Sequence, residues 1–281
     1  MRMPKMSKTV DPLSLVLRGL VWLSVAVTML VFASIVVYVL IKGVPNLTLS
    51  LFSLTYNSEN VSLFPALVNT ISITALSLLV AVPLGVFSAV YTVEYARRGN
   101  KLVKMVRMTA ETLSGIPSIV YGLFGFLFFV SALGWGYSTL AGVFTLSIMI
   151  LPLIMRTTEE ALQAVPDAFR EGSFGLGAGR LRTVFKIVLP AAQPGIMAGI
   201  ILAVGRIVGE TAALIYTAGT VAKIPGSLLE SGRTLSVHMY ALASEGLYID
   251  QTYATAVVLL VIVAGINALS SGLARRLTRE R

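Results

Sequence analysis

The chain has 281 residues, of which 56% are hydrophobic and only 12% charged, with a net charge of +9 and a mean hydropathy of +0.85. A soluble domain usually carries about 25% charged residues, so this chain lacks the polar surface that a water-soluble protein needs. An integral membrane protein is the class that remains. The absence of cysteine excludes disulfides and thiolate metal sites.

Six apolar runs of membrane length follow one another along the chain. They cover about 20–41, 66–93, 113–133, a fourth run that ends near 154, then 195–218 and 253–273. A helix of about 20 residues is long enough to cross roughly 30 Å of hydrocarbon. The first run has 22 residues, whereas the apolar core of a signal peptide has roughly 7 to 15, and we therefore expect a retained anchor. Pro83 and Gly85 predict a kink in the second run.

These runs predict an all-α, polytopic membrane protein with six transmembrane helices in one domain, residues 1–281, with a core of about 66–274. Eighteen of the 22 Lys and Arg residues precede the first run, follow the last, or lie in two loops, 97–107 and 156–194. Because cytoplasmic loops carry the excess of Lys and Arg, both termini are predicted to be cytoplasmic, in a multi-pass protein of the inner (plasma) membrane. The net charge therefore reports topology and does not indicate a nucleic-acid partner.

The predicted cytoplasmic loop at 156–194 is far longer than a connection between membrane helices requires. It contains a partly amphipathic stretch with four glycines, at positions 172, 175, 177 and 179. Glycine weakens a helix by about 1 kcal/mol relative to alanine, and small residues are favoured where another backbone approaches closely. The pattern fits an amphipathic helix on the lipid surface, and it fits equally a site where another protein docks.

The loop contains Glu171, a glycine six positions later at Gly177, and then Ile187, Leu189 and Pro190. At this spacing these five residues match the pattern of the EAA loop of ATP-binding-cassette (ABC) importer permeases, which the segment resembles. Gly172 and Ser173 stand in place of its two alanines, and both are still small. The resemblance implies a type I ABC importer permease fold, in which these residues form a coupling helix that docks on a cytoplasmic ATPase. A turn at 190–194 would pass the motion of that helix to the fifth run.

The fifth run carries two charges near its middle, Arg206 and Glu210. Arg206 lies eleven residues after Gly195, or roughly 16 Å along a helix at 1.5 Å per residue. A charge near the centre of the hydrocarbon costs at least about 2.5–3.5 kcal/mol and usually marks a pathway or a counter-ion. Glu210 is expected at i+4 on the same helical face. A structural ion pair and a transport site both explain this pattern.

The chemistry of the pair favours one class of substrate. The guanidinium fork of Arg206 matches two oxygens of a tetrahedral oxyanion. Glu210 would repel a fully ionised anion but accept a hydrogen bond from one that retains a proton, and Thr211 would add a hydroxyl donor. Phosphate is partly protonated at neutral pH and sulfate is not, so the pair suits phosphate better. No catalytic residue and no metal ligand is predicted.

Two further segments resemble the permease subunits of phosphate ABC importers, of the A type. Residues 204–212 read V-G-R-I-V-G-E-T-A and resemble a membrane helix of that family. Residues 115–125 read G-I-P-S-I-V-Y-G-L-F-G and resemble its third-helix signature. The resemblance extends from about Asn69 to the end of the chain. It implies a permease that moves inorganic phosphate into the cytoplasm.

The chain lacks the G-x-x-x-x-G-K-[S/T] run that holds the phosphates of a nucleotide. ATP hydrolysis is therefore assigned to a separate subunit with ATP and Mg²⁺, and this chain is expected to be neither an enzyme nor the holder of a cofactor. The resemblance implies as partners a homologous permease, two copies of a cytoplasmic ATPase, an external phosphate-binding protein and membrane lipid.

Other functions stay open at this point. A permease for another oxyanion, such as molybdate or sulfate, has the same pattern. An ion-coupled carrier with Glu210 as a proton site is disfavoured, because the two halves show no repeat, and an intramembrane hydrolase lacks an accompanying nucleophile or metal cluster. Asn69, Thr70 and Glu111 are weaker pathway candidates: the first two are expected to cap the second span and Glu111 to lie at the cytoplasmic boundary. His238 is expected on the surface of an outside loop.

Overall fold

The computed structural model describes residues 12–97 and 99–279, and across these ranges the chain is helical with no strand. The α-helices in chain order are α1 (Pro12–Gly43), α2 (Phe64–Val90), α3 (Lys101–Ser114), α4 (Ser118–Gly125), α5 (Thr139–Gln163), α6 (Asp167–Gly175), α7 (Arg180–Thr183), α8 (Leu189–Val208), α9 (Ala212–Ile215), α10 (Leu235–Glu245) and α11 (Ile249–Arg279). Five of the basic residues behind the predicted orientation lie outside the described ranges: Arg2, Lys5, Lys8, Arg98 and Arg281.

Three π-helical segments lengthen these helices. Tyr91–Tyr95 continues α2, Phe126–Ala132 continues α4, and Val184–Val188 joins α7 to α8. As a result α7 and α8 are parts of one helix of 29 residues, Arg180–Val208. The turn predicted at 190–194 is therefore wrong, and both prolines of that stretch lie within the helix. Proline is tolerated in membrane helices where neighbouring groups satisfy the freed carbonyl.

Within residues 12–97 and 99–279, five helices are long and apolar enough to cross a membrane, and a sixth crossing results if α3 and α4 together count as one span. The predicted third run at 113–133 is not one straight helix, because the chain bends by 104° after Ser114. Gly115 and Pro117 lie at the bend, and proline disfavours the helical conformation of the residue before it. The predicted basic loop at 97–107 runs into an amphipathic helix, α3.

Small residues bring α5 and α8 close together at the centre of the bundle. A Cβ at Gly195 would lie 2.7 Å from the Ala161 Cβ, and one at Gly199 would collide with the Thr157 side chain. As the residue number rises along α8, it falls along α5, so the two helices are antiparallel. Such close approach of backbones is what glycine permits between membrane helices.

Helix α2 runs parallel to α5 and completes the centre of the bundle. The Ser77 hydroxyl donates to the Val143 carbonyl at 3.3 Å, and Gly85 packs directly on Ile154. Buried apolar side chains form one cluster at the middle of these helices and a second next to α7. Helix α1 packs against α11 at the edge of the bundle.

The two ends of the bundle are named here by their short helices. The α6 side comprises α6, α7 and the last turns of α2 and α5, and the α10 side comprises α9, α10 and the first turns of α2 and α5. The fifth predicted run at 195–218 is displaced relative to the structure. The helix begins at Arg180 on the α6 side and ends at Val208, ahead of α9.

Candidate functional site

Arg206 lies in the last turn of α8 and lines a cavity between α3, α5 and α8. The register set by Gly195 and Gly199 places it level with Ile150, near the middle of α5. The cavity measures about 550 Å³ and reaches from this level toward the α6 side. Its charged and polar lining comprises Arg107, Glu111, Ser114, Arg156, Thr157, Glu159, Glu160, Gln163 and Arg206.

The charges on the cavity wall are not all paired. Two ion pairs lie there, Arg107–Glu159 at 3.1 Å and Arg156–Glu160 at 3.0 Å. Within the described ranges, the Arg206 guanidinium forms neither a hydrogen bond nor an ion pair, and the Glu111 carboxylate is likewise unpaired. The side chains of Arg206 and Glu111 are therefore both available to bind a ligand in the cavity.

Glu210 does not lie on the helical face of Arg206, and the predicted i, i+4 pair is wrong. Helix α8 ends at Val208, and the chain turns at Gly209 before it reaches Glu210. The buried Glu210 carboxylate accepts a hydrogen bond from the Ala213 N–H at 3.1 Å and so caps the start of α9. No ion pair joins it to Arg206 in the part of the chain that the structure describes.

The other pathway candidates hold segments of the α10 side together. Asn69 and Thr70 lie inside α2, more than a turn from its start, so the prediction that they cap this helix is wrong. The Asn69 amide donates to the carbonyls of Lys223 at 2.8 Å and Arg233 at 3.1 Å. The Thr70 hydroxyl accepts from the first N–H of α10 at 2.8 Å. Thr211 is half-buried beside Glu210 and stays a prediction as a pathway residue.

Helix α6 brings part of the predicted coupling motif to the surface of the α6 side. Glu171 and Gly172 are exposed, and a Cβ at Gly172 would meet nothing within 4 Å. Ser173 points the other way: it is buried, with its hydroxyl 2.8 Å from that of Thr183 in α7. Ser173 therefore fastens α6 to α7 and is not available for direct contact with another protein.

Gly177 terminates α6. Its N–H donates to the Phe174 carbonyl at 2.9 Å, and the next N–H, of Ala178, donates to the Ser173 carbonyl at 3.1 Å. This is the Schellman arrangement, which requires a left-handed residue, and Gly177 has φ +80°. The fold of this chain alone therefore explains why glycine occupies the sixth position after Glu171. The space around it is also open, so another backbone can approach.

The remaining motif residues lie apart from the exposed face of α6. Ile187, Leu189 and Pro190 are half-buried in the long helix, and Leu189 packs on the core cluster next to α7. They belong to the helix Arg180–Val208, whereas Glu171 lies in α6. Large exposed apolar side chains surround α6 instead: Phe169, Phe174, Leu176, Leu181 and Phe185. Several large exposed apolar side chains in one short segment are typical of an interaction surface.

His238 is not on the surface of a loop, and that expectation is wrong. It lies in α10 and is fully buried. Arg233 is buried beside it, with its guanidinium 4.8 Å from the centre of the Tyr56 ring. Burial, together with the charge of Arg233, lowers the pKa of His238 to about 3. The imidazole is therefore neutral at physiological pH.

Sequence reasoning missed a buried ion pair on the α6 side. Arg170 of α6 lies 2.6 Å from Glu94 in the π-helical segment that continues α2, and both side chains are largely buried. The signal available was a lone carboxylate at the end of an apolar run, which needs a partner when it is buried. The partner itself is 76 residues away and cannot be found from spacing.

Comparison with known proteins establishes the family. The model of the binding-protein-dependent transport system inner membrane component family matches residues 81–281. The chain belongs to this family. It is 35% identical over 248 residues to the probable ABC transporter permease protein YqgI of Bacillus subtilis, covering 83% of this chain and 84% of that protein. It is 33% identical over 221 residues to the phosphate transport system permease protein PstA 1 of Mycobacterium tuberculosis, covering 78% and 72%.

Solved structures support the same family at the level of fold. The chain resembles a bacterial alginate ABC transporter, solved in complex with an alginate pentasaccharide-bound periplasmic protein, with a TM-score of 0.63 and 19% identity over 92% of this chain and 95% of that one. The type I ABC importer permease fold is therefore confirmed. This member of the family is a permease subunit, and ATP hydrolysis belongs to a separate ATPase subunit.

Proposed function

We propose that the chain is the permease subunit of an importer that moves inorganic phosphate into the cytoplasm, with Arg206 holding the anion in transit. The observation that carries the proposal is the unpaired guanidinium of Arg206 on the wall of a cavity at mid-bundle. Its parallel N–H donors match two oxygens of a tetrahedral oxyanion. Relatives named as phosphate transport system permeases support phosphate among such anions.

The carboxylate that favours phosphate is Glu111 and not Glu210. Glu210 caps α9, whereas Glu111 lines the same cavity as Arg206 without a partner. An ionised carboxylate accepts a hydrogen bond from hydrogenphosphate and repels a fully ionised oxyanion. Glu210 and Thr211 act beside this site by holding the turn between α8 and α9.

The exposed apolar patch around α6 is the proposed docking surface for a cytoplasmic ATPase that binds ATP and Mg²⁺. Glu171, Gly172 and Gly177 lie on or next to this surface, with open space around both glycines. The remaining partners in the proposal are a second, homologous permease, a second ATPase copy and an external phosphate-binding protein. In this assembly the α6 side and both termini face the cytoplasm. The cavity that reaches from Arg206 toward the α6 side therefore opens toward the cytoplasm.

Cysteine labelling tests this orientation, since the chain has no cysteine of its own. Leu176 is 90% exposed on the α6 side, and Ser227 is exposed on the opposite side. In intact cells an impermeant thiol reagent should label Ser227→Cys and not Leu176→Cys. Inverted vesicles stripped of the ATPase should give the opposite pattern. Labelling of Leu176→Cys in intact cells would contradict the orientation.

Transport by the reconstituted complex tests the function itself. The permease, its partner permease, its ATPase and the binding protein are placed in proteoliposomes, and uptake of labelled phosphate, sulfate and molybdate is compared. Phosphate should accumulate with ATP, and an excess of sulfate should not compete. Glu111→Gln, which removes the negative charge and keeps a carbonyl acceptor, should weaken the discrimination against sulfate. Accumulation of sulfate or molybdate without phosphate would assign the permease to another oxyanion.

A further inference from the structure

Arg170 connects α6 to two membrane-spanning helices at once. Its Nη2 donates to the Glu94 carboxylate at 2.6 Å and to the Leu162 carbonyl at 2.9 Å, and its Nη1 donates to the Val165 carbonyl at 2.8 Å. Nε also donates to Glu94, at 3.2 Å, and Nη1 to Asp167 at 3.2 Å. Each nitrogen of the guanidinium therefore has a partner. These partners lie in the π-helical segment that continues α2, at or just after the end of α5, and within α6.

These bonds satisfy groups that would otherwise be costly to bury. The last carbonyls of a helix have no partner within it, and the Leu162 and Val165 carbonyls belong to the end of α5 and the connection that follows. The Glu94 side chain is only 8% exposed, and a buried carboxylate requires a counter-charge. The hydrogen bond to Glu94 raises the pKa of Arg170 above its usual value, so the guanidinium stays charged.

The same π-helical segment carries a second connection, to the cavity. Thr92, two residues before Glu94, donates its hydroxyl to the Glu159 carboxylate of α5. Glu159 also pairs with Arg107 of α3 at 3.1 Å, and both line the cavity that contains Arg206. Segments of π-helix are rare and occur frequently at functional sites. Here one such segment faces α6 through one side chain and the cavity wall through another.

The attachment of α6 to the long helix is of a different kind. Ser173 and Thr183 join α6 to α7 by one buried contact between hydroxyls, at 2.8 Å. This contact leads into α8, whereas Arg170 bonds directly to the continuation of α2 and to the end of α5. Since close-packed interiors transmit displacement, the hydrogen bonds of Arg170 give a shift of α6 a direct route to these two spans.

We propose that Arg170 is a positioning residue that transmits the movement of α6 to α2 and α5, and through Glu94, Thr92 and Glu159 to the cavity wall. The proposal rests on the proposed function, in which an ATPase docks on α6. It makes the Arg170–Glu94 pair necessary for coupling and dispensable for ATP hydrolysis. A purely structural ion pair would affect assembly and hydrolysis together.

The test uses the full reconstituted complex with Arg170→Met, Glu94→Gln and the double variant Arg170→Met/Glu94→Met. Lys223→Met is the control, because it removes an exposed ion pair with Glu230 on the α10 side. Three quantities are measured: the amount of assembled complex, the ATP hydrolysis rate, and the effect of ATP on thiol labelling of a single cysteine at Ser114, which lines the cavity. Labelling does not depend on which substrate is carried.

In the parent complex and in Lys223→Met, ATP should change the labelling rate at position 114. Arg170→Met should assemble and hydrolyse ATP, while the effect of ATP on labelling and the uptake per ATP fall by about tenfold, a typical size for coupling between sites. The double variant should lose little more than either single variant, because the two residues act as one unit.

Two results would overturn the proposal. One is unchanged ATP-dependent labelling in Arg170→Met and Glu94→Gln. The other is loss of assembly in all three variants, which would make the pair structural. Failure of the proposed function looks different: the parent complex would not take up phosphate, yet its labelling would still respond to ATP and still depend on Arg170.

Discussion

Arg170 on the α6 side and Arg206 at mid-bundle are both partly buried arginines, but their surroundings differ. Every nitrogen of the Arg170 guanidinium donates a hydrogen bond. The Arg206 guanidinium has no hydrogen-bond partner within the described chain, and it lines a cavity of about 550 Å³. A guanidinium whose donors are all used belongs to the scaffold. One whose donors make no bond within the described chain and that lines a cavity is available to a ligand.

The difference between the two arginines requires that α5 and α8 stay packed together. Disrupting the contact between these two helices should have the largest effect on the amount of assembled complex. Gly199→Leu would force a side chain into Thr157 where α5 and α8 touch. Overpacking costs about 1–3 kcal/mol or more, and we expect a severe loss of assembled complex. Gly265→Leu in α11 is the matched control, since a Cβ there meets nothing within 4 Å. Equal recovery of the two variants, measured by purification yield, would show that the contact is loose.

His238 shows a third outcome for a buried ionisable group, since it remains neutral. Its pKa is about 3 in the folded protein against 6.5 for a free histidine, so the unfolded chain takes up a proton first as the pH falls. Stability should therefore decrease between about pH 7 and pH 5, by about 2 kcal/mol from this group. His238→Asn should lack this contribution. Thermal unfolding of both proteins across this range measures it, and parallel pH profiles would contradict the burial of the imidazole.

Substitutions of Glu210 should have the smallest effect on stability, and they distinguish a helix cap from a counter-ion of Arg206. Because its carboxylate accepts from the Ala213 N–H, Glu210→Ala should cost about 1 kcal/mol, as for the loss of a helix cap. Glu210→Gln keeps a carbonyl oxygen at this position and should cost less, by thermal unfolding of the purified complex. If Glu210 were instead the counter-ion of Arg206, the two variants would be equally harmful, and Arg206→Met would rescue both.

The membrane class, the six apolar runs and the positions of Arg206 and Glu171 were predictable from the sequence, because each depends on composition or short spacing. The path of the chain at 195–218 was not predictable, since apolarity continues across Gly209 while the helix does not. The i, i+4 spacing therefore predicted that Arg206 and Glu210 share a helical face. The helix ends between them, at Val208, and hydropathy gives no sign of this end.

Long-range partnerships account for the other errors. Asn69 looks like a capping residue because of its chemistry, yet its amide holds carbonyls more than 150 residues further along the chain. Ser173 fits a docking motif by size, and only the fold shows that Thr183 occupies its hydroxyl. Gly177 was predictable as a small residue, but its role as a helix terminator follows from its left-handed φ.

Uptake of labelled phosphate by the Arg206 variants tests the central claim most directly. Arg206 has no ion-pair partner among the described residues, so Arg206→Met strands no carboxylate and the complex should assemble normally. Uptake per assembled complex should fall by at least about 100-fold, because two charge-assisted hydrogen bonds of about 1.5–3 kcal/mol each are lost. Arg206→Lys, which keeps the charge without the fork, should fall by about tenfold. Uptake at the parent rate by assembled Arg206→Met complex would contradict the assignment of Arg206 as the transport site.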